Sequence, residues 1–280
     1  MDRIFVRFRE GLVHVRDHPA QLAAVRPLYL MHPSPASARG LEPLMAALRA
    51  RGVGQRLIAP DTLGNGDSAA PEGDTPDIAY FAGSVLRLLD ALRVDKVDLY
   101  GGHTGARTAA ELAVIAPDRV GRVVFDGIVE YDPGLKRKIL ANYAPPVKPD
   151  EFGQHLLWAW NFVRDQSFHF PYFLRDPEHR IPGSVRPTEQ LHAHVLDVLK
   201  GLTTYHKAYL AAFRYEPLKR LPLVRAPSMF LAADTEAPHL QAGAAAMAAL
   251  VPGAFVATTK GGIDGKAAAI ADFLQRESKP

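Results

Sequence analysis

The chain has 280 residues, of which 48% are hydrophobic, and it carries a formal net charge of +3 and no cysteine. This length and apolar content can fill a large core, while the lack of cysteine excludes disulfides, thiolate zinc sites and cysteine nucleophiles. Basic and acidic residues are scattered, without the Lys/Arg clusters typical of nucleic-acid binding. No apolar run is long enough to cross a bilayer, and the charged start does not resemble a signal peptide. We therefore expect a soluble, cytoplasmic protein that binds neither nucleic acid nor a membrane.

Short apolar strands alternate with helical patterns over the first 130 residues. The sequence predicts a first hairpin around Gly11, and strands over residues 4–8, 12–15, 27–31, 56–59, 96–100 and 122–125. Apolar residues at helical spacing predict helices between these strands, over residues 41–51, 77–92 and 106–116. This alternation predicts the α/β fold class, with a mainly parallel central sheet flanked by helices.

The composition of the sequence changes between residues 131 and 222. This stretch holds both tryptophans and six of the eleven histidines, and helical spacing recurs over residues 152–163 and 191–213. The alternating pattern then resumes, with strands predicted over residues 228–232 and 254–258 and a helix over 267–274. We predict one core formed by residues 1–130 and 223–280, with a helical cap insertion over residues 131–222.

A buried strand, a tight turn and a helix meet at residues 99–105. Gly101 and Gly105 flank the turn, as glycines flank the serine in a G-x-S-x-G nucleophile elbow. The tip of the turn falls on His103 in this reading. A shift by one residue would place Thr104 at the tip and would lose the second glycine.

These residues resemble the α/β-hydrolase superfamily, in the branch that carries a helical cap over the active site. Residues 30–33 are similar to the strand-then-HG motif of the family, with Pro33 in place of the glycine, and residues 59–68 are similar to its PD-x-x-G-x-G-x-S loop. The resemblance covers nearly the whole chain outside the predicted cap. It implies the α/β-hydrolase fold, with nucleophile, acid and histidine following in that chain order.

The resemblance places the remaining triad positions after the predicted cap. The acid is expected at Asp234, with Glu236 close behind it and with Asp126, at the end of an earlier strand, as a rival. The histidine position of the family falls on Ile263, which we expect to pack there, and no histidine follows His239. The sequence thus predicts a degenerate triad that lacks both serine and base, so ordinary serine esterase chemistry is not expected.

His103 offers a different chemistry at the turn. Our hypothesis is that Asp234 holds one ring nitrogen within roughly 3 Å, while the other nitrogen acts as a general base. Backbone N–H groups near Ser34 and Thr104 are candidates for an oxyanion hole, and His32 is expected to brace the loop behind it. This arrangement predicts cofactor-independent hydrolysis or C–C cleavage of a small, partly apolar carbonyl compound.

The candidate substrate contacts lie in the predicted cap and are Trp158, His155, His169 and His206. An aromatic run over residues 168–173 is typical of a packed cap core, and also of an apolar wall around a small ligand. No metal site is expected, because His192 and His194 alternate within a helix and do not face one way.

Two functions stay open at this point. The first is an atypical enzyme of the hydrolase or lyase class that acts on a small-molecule substrate through His103. The second is a non-catalytic ligand-binding or scaffold protein on the same fold. A homodimer formed through the cap or through an edge strand is a further expectation.

Overall fold

The computed structural model describes residues 1–22, 25–181 and 185–275. Its strands are β1 Asp2–Arg7, β2 Leu12–His18, β3 Leu28–Met31, β4 Leu57–Pro60, β5 Val97–Gly102, β6 Val120–Asp126, β7 Ser228–Ala233 and β8 Phe255–Thr259. They form one sheet in the order β1-β2-β4-β3-β5-β6-β7-β8. The β1–β2 and β2–β4 pairs are antiparallel, and the other neighbours are parallel. The predicted fold class, a mainly parallel sheet in an α/β protein, is confirmed.

The helices are α1 Glu42–Ala50, α2 Ile78–Ala91, α3 Thr104–Ile115, α4 Pro133–Asn142, α5 Gln154–Asp165, α6 Thr188–Lys200, α7 Tyr205–Arg214, α8 Pro217–Arg220, α9 Pro238–Ala248 and α10 Gly262–Gln275. Aspartates cap two of them: the Asp77 side chain accepts a hydrogen bond from the Tyr80 backbone N–H at 2.8 Å, and Asp132 accepts one from Gly134 at 2.8 Å. Among the described residues, no helix has the length and apolar character needed to span a membrane.

The two faces of the sheet bury separate apolar clusters, because successive side chains of a strand point in opposite directions. Tyr29 and Met31 of β3 join the cluster that includes apolar residues of α2 and α3. Leu28 and Leu30 join the cluster that includes apolar residues of α1 and α10. Helices therefore cover both faces of the sheet, and the carboxyl ends of the parallel strands lie at one edge.

Helices α4 to α8 lie in the chain between β6 and β7, and we call residues 131–222 the inserted segment. The helical pattern predicted over residues 191–213 is divided into α6 and α7. The division lies at Gly201, where a Cβ would lie 2.9 Å from the carbonyl oxygen of Gly64. The Thr204 hydroxyl donates to that same oxygen at 2.7 Å, which attaches the break to the loop after β4. The division of the chain into a core and a cap domain stays a prediction.

Candidate active site

Strand β5 passes into α3 through a tight turn whose central residue is His103. Its φ of 49° and ψ of −101° form a conformation that few residues other than glycine adopt. A Cβ on Gly101 would lie 2.4 Å from the Gly105 carbonyl oxygen, and a Cβ on Gly105 would lie 2.4 Å from that of Met31. The two glycines therefore permit the close approach of strand and helix. The His103 N–H donates to the Asp126 carbonyl oxygen at 2.7 Å, which joins the turn to the end of β6.

The His103 side chain pairs with Glu236, whose Oε2 lies 3.0 Å from Nε2 of the imidazole. Glu236 lies in the loop between β7 and α9. The prediction that the Asp234 carboxylate binds the His103 ring is wrong. The Asp234 carboxylate instead accepts hydrogen bonds from the backbone N–H groups of Gly261 at 2.8 Å and Gly262 at 3.1 Å. It thereby fixes the start of α10, and the alternative acid Glu236 takes the place beside the histidine.

Lys266 lies behind this pair and connects Glu236 to a second carboxylate, that of Asp126. Nζ of Lys266 lies 2.5 Å from Oδ2 of Asp126 and 3.4 Å from Oε1 of Glu236. The Tyr100 hydroxyl also donates to Asp126, at 2.6 Å. Ile263, the residue at the expected histidine position, is 42% exposed and so does not fill the site. Lys266 lies about one turn further along α10, and its side chain is the one that reaches the carboxylates of Asp126 and Glu236.

The charges of this cluster shift its pKa values in linked ways. Burial opposes the charged form of His103, but the charge and hydrogen bond of Glu236 outweigh it, and the pKa of His103 is raised. Burial likewise opposes the Glu236 carboxylate, but His103 and Lys266 lower its pKa. Burial and the charge of Glu236 raise the pKa of Asp126, an effect that Lys266 offsets only in part. The cluster therefore favours the ionised His103–Glu236 pair.

His103 lines a cavity of about 450 Å³, and its side chain is 37% exposed. Aromatic residues of the inserted segment form one wall: Tyr143, Phe170, Tyr209 and Phe213. Polar side chains of the core also line the cavity: Ser34, Thr104 and Arg107. The cavity thus joins an apolar wall to a polar one beside the imidazole, as in small-molecule sites.

Ser34 and Thr104, the residues predicted to supply a backbone oxyanion hole, both line the cavity. The Ser34 N–H donates to Thr104 Oγ1 over a long 3.4 Å, and Thr104 begins α3, where a backbone N–H has no partner within its own helix. The buried His32 has a structural role, because both of its ring nitrogens bond backbone groups of loops. Its Nε2 accepts from the Thr62 N–H at 2.9 Å, so Nδ1 carries the proton and donates to the Pro33 carbonyl oxygen at 2.7 Å. His32 therefore braces the loop, as expected.

Two of the predicted substrate contacts, Trp158 and His155, lie away from the cavity. The Trp158 ring stacks on Phe162 with 4.8 Å between centroids, inside an apolar cluster of the inserted segment. His155 Nδ1 lies 2.9 Å from Oδ2 of Asp150. Trp158 thus packs, and His155 pairs, within the inserted segment. The geometry does not support the prediction that these two side chains face the substrate.

The other two predicted contacts, His169 and His206, also fall outside the described lining of the cavity. His169 forms an isolated β-bridge with Arg180, and its neighbour Phe170 is the residue that lines the cavity. His206 packs edge-on against Tyr205 with 6.0 Å between centroids. The aromatic run was expected to form either a packed cap core or an apolar wall, and its Phe170 lines the cavity whereas the neighbouring His169 does not.

Sequence reasoning missed several cavity residues, among them Arg107 and His239. Arg107 lies one turn after His103, and its guanidinium donates to the carbonyl oxygens of His103 at 3.2 Å and Val129 at 3.0 Å. His239, at the start of α9, stacks on Phe170 with 4.4 Å between centroids. Burial and the positive charge of His103 lower the pKa of His239. The helical spacing from His103 could have indicated Arg107, whereas no pattern distinguished His239.

One cluster outside the cavity has the residue types of a metal site, namely His14, Asp61 and Asp67. Its donors already have partners in the protein. The His14 ring contacts Arg3 through Nε2 at 3.1 Å and Asp61 through Nδ1 at 2.9 Å. Asp67 pairs with Arg3 at 3.2 Å and with Lys200 at 2.6 Å. The cluster is therefore satisfied as an ion-pair network that braces the loop after β4.

The sequence model of the alpha/beta hydrolase fold family matches residues 26–262. The chain belongs to the alpha/beta hydrolase fold family. Among solved structures, a hydrolase from Pseudomonas aeruginosa PA01 superposes on this alpha/beta hydrolase with a TM-score of 0.72 and 19% sequence identity. That superposition covers 98% of this chain and 99% of the other, and at this identity it shows a common fold.

Curated relatives match this alpha/beta hydrolase over shorter stretches. The 2-hydroxy-6-oxo-2,4-heptadienoate hydrolase of Pseudomonas putida is 36% identical over 75 residues, which is 27% of each chain. The 2-hydroxy-6-oxononadienedioate/2-hydroxy-6-oxononatrienedioate hydrolase of Paraburkholderia xenovorans is 32% identical over 133 residues, covering 44% of this chain and 43% of the relative. The chain thus matches less than half the length of these relatives.

Proposed function

We propose that this alpha/beta hydrolase is an enzyme that uses His103 as a general base on a small, partly apolar carbonyl compound, without cofactor or metal. The observation that carries the proposal is the placement of one imidazole. His103 Nε2 lies 3.0 Å from Glu236, and the same side chain lines a cavity of about 450 Å³. A general base needs both an orienting acid and contact with the substrate.

The chemistry assigns one role to each ring nitrogen. Nε2 donates to Glu236, which stabilises the imidazolium, and Nδ1 accepts a proton from a bound water molecule. The resulting hydroxide adds to the carbonyl carbon, and backbone N–H groups near Ser34 and Thr104 hold the oxyanion. Collapse of this intermediate breaks the C–O or C–C bond, and the imidazolium returns its proton to the leaving group. The products are an acid and either an alcohol or a C–H compound.

Lys266 supports this base from behind. Its ammonium lies between Glu236 and Asp126, and without it two carboxylates would meet in a buried environment. The ionised Glu236 carboxylate orients the imidazole and raises the pKa of His103, which makes the neutral imidazole a stronger base. We infer that Lys266 is a positioning residue for the pair.

The names of the curated relatives support the substrate class. They describe 6-oxo compounds, which contain the ketone carbonyl that the proposed chemistry requires. The similar stretches cover less than half of each chain, so the substrate itself remains part of the proposal.

The proposal is tested with purified protein and a panel of small p-nitrophenyl esters and 1,5-diketones with a conjugated enol. His103→Ala should reduce turnover by about 100-fold or more, because general-base catalysis contributes at least that much. His155→Ala is the matched control, since its histidine–aspartate pair lies away from the cavity, and it should retain turnover.

Retained activity in His103→Ala would overturn the assignment. So would loss of activity on labelling of a serine by a fluorophosphonate, because that would indicate ordinary serine chemistry. Binding of the panel compounds without any turnover would favour the non-catalytic ligand-binding protein instead.

A further inference from the structure

Three side chains that line the cavity each carry a buried polar atom without a hydrogen-bond partner among the described residues: Ser34 Oγ, Arg107 Nε and Ser167 Oγ. Other such atoms belong to residues outside the cavity lining. Because buried polar atoms are nearly always paired, these three side chains have hydrogen-bonding capacity that the described residues do not use.

Arg107 is the most informative of the three, since it is a cation and only 4% exposed. The acceptors of its guanidinium are the carbonyl oxygens of His103 and Val129, together with the Tyr131 phenol. All of them are neutral, and the described residues give Arg107 no ion pair. Several other cations of this protein do have a carboxylate, as Arg220 does with Glu111 at 2.7 Å. A guanidinium buried without a counterion is costly, and an anion in the cavity would offset that cost.

The carboxylates of the lining have partners other than Arg107. Glu236 is held by His103 and Lys266, and the Asp234 carboxylate accepts from two backbone N–H groups of the next loop. Arg186 also lines the cavity, and its Nη1 lies 3.1 Å from Nδ1 of His194. Burial and Arg186 lower the pKa of His194 to about 4, so this histidine is neutral near pH 7 and adds no charge to the lining.

We propose that Arg107, a cation of the cavity lining, forms a subsite for a carboxylate group of the ligand. The planar guanidinium matches a carboxylate in shape as well as in charge. The inference rests on the proposed function only in that both use the same cavity. It narrows the substrate class to small carbonyl compounds that also carry a carboxylate, with the apolar part against the aromatic wall and the anionic end at Arg107.

The experiment measures binding, so it does not depend on turnover. Benzoate and benzamide have nearly the same shape and differ in charge, and their dissociation constants are measured by NMR titration of the wild-type protein. We expect benzoate to bind about tenfold tighter or more, since a hydrogen-bonded charge pair contributes that much. Arg107→Gln should abolish this preference and leave benzamide binding within about twofold. The control Arg137→Gln, which alters an exposed cation of α4, should leave both constants unchanged.

Equal affinity for the two compounds in the wild-type protein would overturn the proposal without any variant. A benzoate preference that survives Arg107→Gln and is lost in Arg186→Gln would also overturn it, because the anion would then belong to the other arginine. His103→Gln separates this proposal from the proposed function. Retained benzoate preference in that variant supports the subsite, whether or not the protein is catalytic, and its loss counts against the subsite.

Discussion

Glu236 is shared between His103 and Lys266: its Oε2 lies 3.0 Å from the imidazole Nε2, and its Oε1 lies 3.4 Å from the ammonium Nζ. The histidine comes from the turn after β5, the acid from the loop after β7, and the lysine from α10. Three separate parts of the alpha/beta hydrolase core therefore meet at one carboxylate. Any change in this carboxylate should be detected at both cations.

The His103–Glu236 pair should stabilise the fold in a defined pH range. The pKa of His103 is raised on folding, so its contribution is complete below the usual value of 6.5 and is lost as the pH rises through the folded value. The pKa of Glu236 is lowered, so its contribution is complete above the usual value of 4.5 and is lost as the pH falls through the folded value. Both contributions are present together between pH 4.5 and 6.5.

Glu236→Gln should therefore reduce the free energy of unfolding more at about pH 5.5 than at about pH 9, where His103 is closer to neutral. Urea denaturation of wild type and variant at both pH values measures this difference. Glu216→Gln, which alters an exposed pair with Lys219, is the control and should show little dependence on pH. The same loss at both pH values for Glu236→Gln would contradict a charged pair.

Lys266→Met should destabilise the fold by about 3 kcal/mol, because it leaves the buried Asp126 carboxylate without a cation and close to the charge of Glu236. The double variant Lys266→Met/Asp126→Asn removes one of those charges and should regain part of the loss. Denaturation at pH 7 compares the two proteins. A double variant that is no more stable than Lys266→Met would show that the lysine contributes by packing alone.

The backbone at His103 should favour glycine over alanine. Both His103→Gly and His103→Ala lose the contact with Glu236, but only alanine retains a Cβ at a φ of 49°. We expect the glycine variant to be more stable than the alanine variant by about 1 kcal/mol, measured by chemical denaturation. Ala46→Gly, the same exchange at an exposed position of α1, should instead reduce stability by about 1 kcal/mol. The same sign at both positions would argue against strain in the turn.

Two glycines should respond in opposite ways to alanine. In Gly105→Ala the new Cβ would lie 2.4 Å from the Met31 carbonyl oxygen, so we expect a loss of about 2 kcal/mol or more. Gly83, within α2, has no atom within 4 Å of such a Cβ, and Gly83→Ala should be neutral or stabilise the helix by up to about 1 kcal/mol. Thermal denaturation distinguishes the two. A Gly105→Ala protein as stable as wild type would mean that the turn is less tightly packed than described.

The sheet and the turn at His103 could be predicted because local patterns specify them. Apolar runs alternate with helical spacing, and Gly101 and Gly105 bracket a turn that their side chains would otherwise obstruct. The break between α6 and α7 was missed, because it depends on the approach of Gly201 to Gly64, which is distant in sequence.

The acid and the lysine of the site could not be assigned in the same way. Asp234 and Glu236 lie two residues apart in one loop, and the hydrogen bonds from Gly261 and Gly262 decide which of them faces His103. Nothing in the sequence distinguishes Lys266 from any other lysine of a helix, and only tertiary packing brings it to Asp126. Side-chain direction in irregular segments explains the remaining difference, since Phe170 rather than His169 lines the cavity.

The most direct test of the central claim is an NMR pH titration of the His103 imidazole in wild type, Glu236→Gln and Asp234→Asn. We expect a pKa above 6.5 in the wild-type protein, a clear decrease in Glu236→Gln, and little change in Asp234→Asn. A wild-type pKa that does not respond to Glu236→Gln, or that falls only in Asp234→Asn, would contradict the His103–Glu236 pair as the base of this site.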